Sequence, residues 1–346
     1  MVMRSKCSAG VCRATAFAVL VFSLLLTACN GGSHPVVEPV PIDLEVVRLD
    51  HAVFRTPADS MGATCLRMQA ELGPFWQLYV EDILQAAALD DPRLPLALNT
   101  FTSDPDWMEA QAAIDSVFGD LAPQRADLEE AFGRLKAIYP DSITPRVIVF
   151  NSGFNYGLYP TDTDLGIGAE WFIGPEQRVI SYLAQEGFPE YVKARMRKDM
   201  LAPGAVKGWL MVHWLRDVRG EDLLTNLVEV GKVMALLETV MPGTDAALRF
   251  AFTPGQLKWC EENEYMMWQK IVTDELLFSK EEKAVSRILN DAPFTNGFPR
   301  ESPGHVGEWI GYRMVQAYMA DNPDLTFAQL FALTDAKEIL KTYKPR

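Results

Sequence analysis

Histidine and cysteine are scarce in this chain, four of the first and five of the second in 346 residues. Cys7, Cys12 and Cys29 fall at the very start, which leaves only Cys65 and Cys260 for the rest. No C-x-x-C occurs, so a disulfide scaffold and a cysteine-rich zinc module are excluded. Basic residues are also few: 32 Lys and Arg against 46 Asp and Glu give a formal charge of −14. A protein that neutralises phosphates needs clustered Lys and Arg, so nucleic acid and a polybasic membrane patch are set aside as partners. Phosphate loops of the G-x-x-x-x-G-K-[ST] or G-x-G-x-x-G type and the G-x-S-x-G nucleophile elbow are missing. The main apolar run, from about Ala14 to Ala28, falls short of the roughly twenty residues a bilayer-spanning helix needs.

That run carries the clearest signal in the sequence. Arg4, Lys6 and Arg13 precede it, and Leu26-Thr27-Ala28-Cys29 closes it. A basic start, an apolar stretch and small residues before a cut form the secretory pattern, and a cysteine directly after them resembles a bacterial lipobox. Residues 1–28 are thus expected to be a lipoprotein signal peptide, with Cys29 as the lipid-bearing first residue of the mature chain. Cleavage removes three basic and no acidic residues, taking the charge from −14 to −17. Membrane attachment then rests on the lipid, and several acyl chains convert marginal association into stable anchoring. Asn30 stands where an aspartate would resemble an inner-membrane retention signal, so the expected location is the outer membrane, facing the periplasm.

Residues 29–41 contain Gly31, Gly32, Ser33 and three prolines without helical or strand period, and read as a semi-extended tether. Residues 42–346 are expected to form a single domain. Ile42 to Leu49 alternates like a half-buried strand, and Thr56-Pro57 looks like the start of a helix. Further helix starts are marked by Asp104-Pro105, Ala122-Pro123, Pro203-Gly204 and Thr253-Pro254, while Met241-Pro242-Gly243 ends a helix. RVIVF (Arg146 to Phe150) and LGIGAEWFI (Leu165 to Ile173) are β-branched and aromatic and read as two strands of a small sheet. The predicted fold class is α+β: a predominantly helical body with a small central β-sheet.

Several residues merit weighing as a site. His213 lies in an apolar stretch, Trp209 to Leu215, that reads as a helix buried on all faces. A zinc-protease helix would show H-E-x-x-H, yet the five positions are His213, Trp214, Leu215, Arg216 and Asp217, and tryptophan cannot act as a base. A buried histidine bonded to a neighbour is the preferred reading. Gln256 to Phe278 reads as one strong helix with Trp268, Ile271 and Val272 on one stripe and Glu264 one turn before Trp268. Glu264 either reaches solvent, the plainer reading, or points inward and requires a cation or His213. Arg313 is the leading candidate for that cation. Gly304, Gly307 and Gly311 share a face of the Ser302 to Met319 helix, where glycine costs about 1 kcal/mol relative to alanine, so another element should approach closely. Cys65 and Cys260 are read as two buried thiols, with a disulfide as the alternative in an oxidising compartment.

Taken in order, Arg146 to Tyr156 (RVIVFNSGFNY), Leu165 to Gly174, Glu229 to Leu237 (EVGKVMALL), Leu257 to Trp268 (LKWCEENEYMMW), Ala292 to Phe298 (APFTNGF), Ser302 to Met319 and Leu340 to Pro345 (LKTYKP) resemble the gliding-motility lipoproteins of the Bacteroidota, the GldB type. The resemblance implies an envelope lipoprotein needed for surface gliding, associated with the machinery tied to type IX secretion, and without an established enzymatic activity. It also implies a distant likeness to zinc proteases whose H-E-x-x-H has decayed, and with it a degenerate zincin-like architecture.

The expected function is therefore binding rather than catalysis, with envelope motility and secretion proteins as partners, no catalytic residues, no metal and no cofactor. His213, Asp217, Glu264, Trp268 and Arg313 are the pocket candidates. The competing reading is a metal-dependent hydrolase built on His213, Asp217 and a distant carboxylate such as Glu229 or Glu264. A third is a sugar or peptide binder that uses Trp259, Trp268 and Trp309.

Overall fold

The computed structural model describes residues 36–346. The segment expected to be a signal peptide, Cys29 and the first part of the expected tether lie outside these residues. Val37–Arg346 form one compact unit. The last residues expected in the tether belong to it: Val40 N donates to Gly133 O at 3.1 Å, and Arg134 Nε donates to Val37 O at 3.1 Å. A Cβ at Gly133 would sit 2.5 Å from Val40 O, so glycine is what lets this segment lie on the helix.

Four short strands make the sheet: β1 (Val46–Arg48), β2 (Arg146–Phe150), β3 (Leu158–Pro160) and β4 (Asp164–Gly168), in the order β1-β2-β4-β3. β1, β2 and β4 are parallel, and β3 runs antiparallel to β4. The strand read over Ile42 to Leu49 pairs only at its end. Leu44 is buried there, but the ladder begins at Val46, and Leu49–Phe54 already coils into a short helix.

Helices of eight residues or more are labelled α1 (Met61–Leu72), α2 (Leu94–Ser103), α3 (Pro105–Phe118), α4 (Ala122–Ile138), α5 (Leu201–Trp214), α6 (Leu223–Val240), α7 (Pro254–Glu262), α8 (Glu264–Thr273), α9 (Glu282–Leu289) and α10 (Val306–Asp321). Local chemistry sets several starts. Asp104 accepts from Asp106 N ahead of Pro105, Asp222 accepts from Thr225 N, and Thr253 with Gln256 forms a capping box before α7. The single helix read over Gln256 to Phe278 is in fact two, because Asn263 leaves helical geometry at φ −122° and ψ 17°.

The sheet separates two cores, as expected of parallel strands buried on both faces. Val147, Val149, Leu165 and Ile167 face a large core shared with α3 to α6 and α10. Ile148 and Phe150 face a smaller one built by Leu49, Val53, α1, Phe75, Trp76 and Tyr79. Gly166 belongs to the small-core face. A Cβ there would meet the Phe75 ring at 2.7 Å and the Phe150 ring at 2.9 Å, so its absence makes room for the aromatic layer.

α6 and α10 form the axis of the large core. A Cβ on Gly311 would lie 1.8 Å from Leu227 O, and one on Gly231 would lie 2.2 Å from Gly311 O. The two helices therefore touch backbone to backbone, which is the close approach expected at the glycine face. The closer packing offsets the helix-propensity cost of these glycines. Among the described residues no helix is long and apolar enough to cross a membrane.

Candidate functional site

The three parallel strands end on one edge, and polar residues collect there. In open sheets flanked by helices the carboxyl ends of parallel strands are where ligands bind. β1 runs into Leu49, Asp50 and His51, β2 into Asn151 and Ser152, and β4 into Ala169 and Glu170. α3 adds Gln111 and Asp115 from the side. Asp50, Gln111, Asn151, Ser152 and Glu170 are all buried.

Hydrogen bonds join them. Gln111 Nε2 donates to Asp50 Oδ2 at 2.9 Å, Asn151 Nδ2 donates to Gln111 Oε1 at 3.4 Å, and Tyr79 Oη donates to Asn151 O at 3.0 Å. Burial pushes the Tyr79 hydroxyl up, with the charges of Glu170 and Asp50 adding to it.

Glu170 differs from the other buried acids because no cation touches it. Its Oε1 accepts from Ser152 N at 2.8 Å, Ser152 Oγ at 2.5 Å and Phe154 N at 3.2 Å, and its Oε2 has no hydrogen-bond partner. Burial pushes the carboxyl up to about 7, while the donors from Ser152 and Phe154 pull the other way. The donors come from the loop 151–157, which folds back over the end of β4. Gly153 and Phe154 hold φ of 65° and 66°, and this local twist aims two backbone N–H groups at one oxygen.

Asp50, His51 and Asp115 bring ligand-type atoms within 4.8 Å of one another, the one such group among the described residues. Guanidinium groups already occupy it. Arg48 makes two hydrogen bonds to Asp50, at 2.8 and 2.7 Å, and its Nη2 sits 2.5 Å from His51 Nε2. Arg55 Nη2 is 2.9 Å from the same nitrogen and 3.4 Å from Asp115 Oδ2. Two fixed positive charges beside the imidazole oppose a metal ion, and the cluster reads as an ion-pair network. Burial works to raise the Asp115 carboxyl, but His51 and Arg55 outweigh it and hold the group below its ordinary value.

The residues nominated by the sequence fall in two places. Glu264 is inward and paired, against the solvent-facing reading: Arg313 Nε donates to Glu264 Oε2 at 2.9 Å, and Tyr343 Oη donates to Glu264 Oε1 at 3.0 Å. Trp268 packs edge-on against Tyr343 with ring centroids 5.2 Å apart, so these three candidates do come together. Arg313 also donates to Gln316, which bonds Glu238, which pairs with Arg249.

His213 and Asp217 sit elsewhere. α5 ends at Trp214 because Leu215 turns extended at ψ 117°, so the two do not share a helical face. Asp217 is exposed beyond that end and pairs with Arg219 at 2.6 Å. His213 is half-buried rather than enclosed: it stacks on Trp209 at 3.9 Å between centroids, and its Nε2 lies 3.1 Å from Thr161 O. Val212 beside it is half exposed, so the helix is not buried on all faces at this end.

Glu229 is paired too, with Lys232 Nζ at 2.8 Å and Arg216 Nη2 at 3.2 Å, while Lys232 also donates to Leu333 O at 2.6 Å. The carboxylates and imidazole of the hydrolase reading are thus each bonded to a different partner. Of the three tryptophans of the binder reading, Trp309 is core, and Trp259 and Trp268 are partly buried against it. Cys65 and Cys260 are free thiols buried in separate cores.

Sequence reasoning passed over the sheet edge. The signal that would have found it is positional: a polar residue, Asp50, Asn151 or Glu170, within two positions of the end of each of three parallel strands. Two clefts flank the loop 151–157. One, of about 360 Å³, is lined by Leu84, Ala97, Phe101 and Trp107, and a Cβ at Gly153 would meet the last two rings at 3.2 Å. The other, of about 780 Å³, is lined by Glu81, Asp82, Tyr156 and Tyr159.

Compared with known proteins, the chain matches one family model over residues 31–345, the model described as gliding motility protein GldB. No curated protein and no solved structure matches it.

Proposed function

We propose a function from one premise, that the chain belongs to the family of the gliding motility protein GldB: it is a lipid-anchored envelope protein that serves a motility- and secretion-associated machine by binding. In this reading Cys29 carries the lipid, the protein sits on the outer membrane facing the periplasm, and its partners are envelope proteins of that machine. The observation that carries the binding half is the state of the candidate reactive groups. Glu229, Glu264, Arg313, His213 and Asp217 are each engaged with an internal partner, which is how structural ionic groups are arranged. A group poised to activate a water needs a free lone pair facing an accessible space.

Crosslinking in intact cells, followed by identification of the attached proteins, tests the reading when run on the native chain and on Cys29→Ser. The expected result is a reproducible set of envelope proteins captured by the native chain and lost when the variant leaves the membrane fraction. Unaltered membrane attachment of Cys29→Ser would contradict the anchor. Stoichiometric metal together with peptide hydrolysis abolished by His213→Ala would contradict binding as the mode of action.

A further inference from the structure

Glu170 is the one acid of the sheet edge held wholly by neutral donors, and those donors belong to a single loop. Ser152 N, Ser152 Oγ and Phe154 N converge on Oε1, and Ser152 Oγ in turn accepts from Tyr156 N at 3.1 Å. The same loop borders both clefts: Gly153 packs against Phe101 and Trp107, which line the smaller one, Tyr156 lines the larger one, and Asn155 Nδ2 donates to Ile83 O at 3.0 Å. The far oxygen of the carboxyl, Oε2, is buried without a partner.

We propose that Glu170 is a proton-operated latch on the loop 151–157, closed while the carboxyl is neutral and loosened when it ionises. A neutral acid brings no charge into this enclosure and leaves only the hydroxyl at Oε2 without a partner, the smaller of the two costs. An ionised one leaves a charge buried with no cation and with one bare oxygen, a state that opening of the loop relieves by admitting water.

No neighbouring group is placed to compensate. From α3, Asp115 is tied to His51 and Arg55, and Gln111 to Asp50 and Asn151. From the turn that packs under Glu170, Lys198 donates to Val117 O and Asp199 pairs with Arg197. Tyr79 donates to Asn151 O, and Asp50 is bound by Arg48. Arg146, at the opposite end of β2, pairs with Asp164.

Linkage sets the direction. The enclosed carboxyl keeps its proton up to about 7, against an ordinary value of 4.5, so the closed loop binds the proton more tightly than the open one. Opening should become about tenfold more favourable per pH unit between these values, about 300-fold in all, and then level off.

Hydrogen exchange on the full-length protein between pH 4.5 and 8.5 tests this, with the amides of Ser152, Phe154 and Tyr156 expressed as protection relative to intrinsic exchange. The expected result is protection that falls toward pH 7 and is flat above it, with no such fall in Glu170→Gln. Ser152→Ala removes a donor that favours the ionised form, so its levelling point should move to higher pH. This second variant decides the matter where the first folds poorly. Protection that does not change with pH in the native chain, an equal fall in Glu170→Gln, or an unmoved levelling point in Ser152→Ala would overturn the latch. The readout is the loop itself, so the result is independent of whether the protein binds envelope partners.

Discussion

The helical region around α6, α8 and α10 and the edge of the sheet both bury acids, but at the edge Glu170 is held in the opposite way from Glu229 and Glu264, and from Asp50 beside it, which Arg48 pairs. Glu229 meets Lys232 and Arg216, and Glu264 meets Arg313 and Tyr343, so charge is buried with its counter-charge. Glu170, equally buried, meets only a serine and two backbone amides. The lesson is that burial alone does not decide the ionisation of an acid. A cation within hydrogen-bond reach keeps the carboxylate charged and makes removal of that cation costly, whereas neutral donors leave burial to win. The helical region is accordingly a fixed scaffold, and the sheet edge is where a change of protonation acts.

The sharpest way to break the comparison is at Lys232, which is fully buried. Lys232→Met should destabilise the protein by about 4 kcal/mol in denaturant unfolding, because Glu229 then keeps only the partly exposed Arg216. Glu229→Gln combined with Lys232→Met should recover much of that loss, and a double variant as unstable as the single one would argue that packing dominates instead.

Glu170→Gln should act in the opposite sense. The folded carboxyl holds its proton to higher pH than the unfolded one, so its contribution is complete below about 4.5, declines as pH rises and is spent above about 7. The amide escapes that decline and should leave the protein about 3 kcal/mol more stable than the native chain at pH 8, with little difference at pH 4.5. The gain shrinks to the extent that the amide's N–H groups lack acceptors.

Arg313→Met should cost about 2 kcal/mol, less than Lys232→Met, since Arg313 is partly exposed and Tyr343 still donates to Glu264. An unchanged melting temperature would show that the Glu264 contact is not a stabilising pair.

Parts of this contrast are legible in the sequence. Glu264 lies one turn before Trp268; the plainer reading puts it in solvent, but the alternative, an inward acid met by a cation or His213, names Arg313, and that alternative is the one found. Gly307 and Gly311 in a helix demanded a close neighbour, and α6 supplies it. RVIVF showed its strand because β2 is apolar along nearly its whole length.

The rest depended on contacts far apart in sequence. Glu170 stood inside LGIGAEWFI, which reads as one strand. β4 instead stops at Gly168, and a turn at Ala169–Phe172 swings the acid under a loop that begins at Asn151. His213 and Asp217 have the spacing of one helical face, but the extended conformation of Leu215 separates them. β3 was hidden in a turn-rich segment, because its pairing with β4 comes from register rather than composition.

Equilibrium unfolding of the native chain and Glu170→Gln, measured side by side from pH 4.5 to 8.5, tests the contrast most directly. The expected result is two stability curves that coincide near pH 4.5 and separate steadily until about pH 7, the native chain lying lower. Curves that stay parallel across the whole range would mean that Glu170 is ionised and compensated like the acids of the helical region, and would contradict the account.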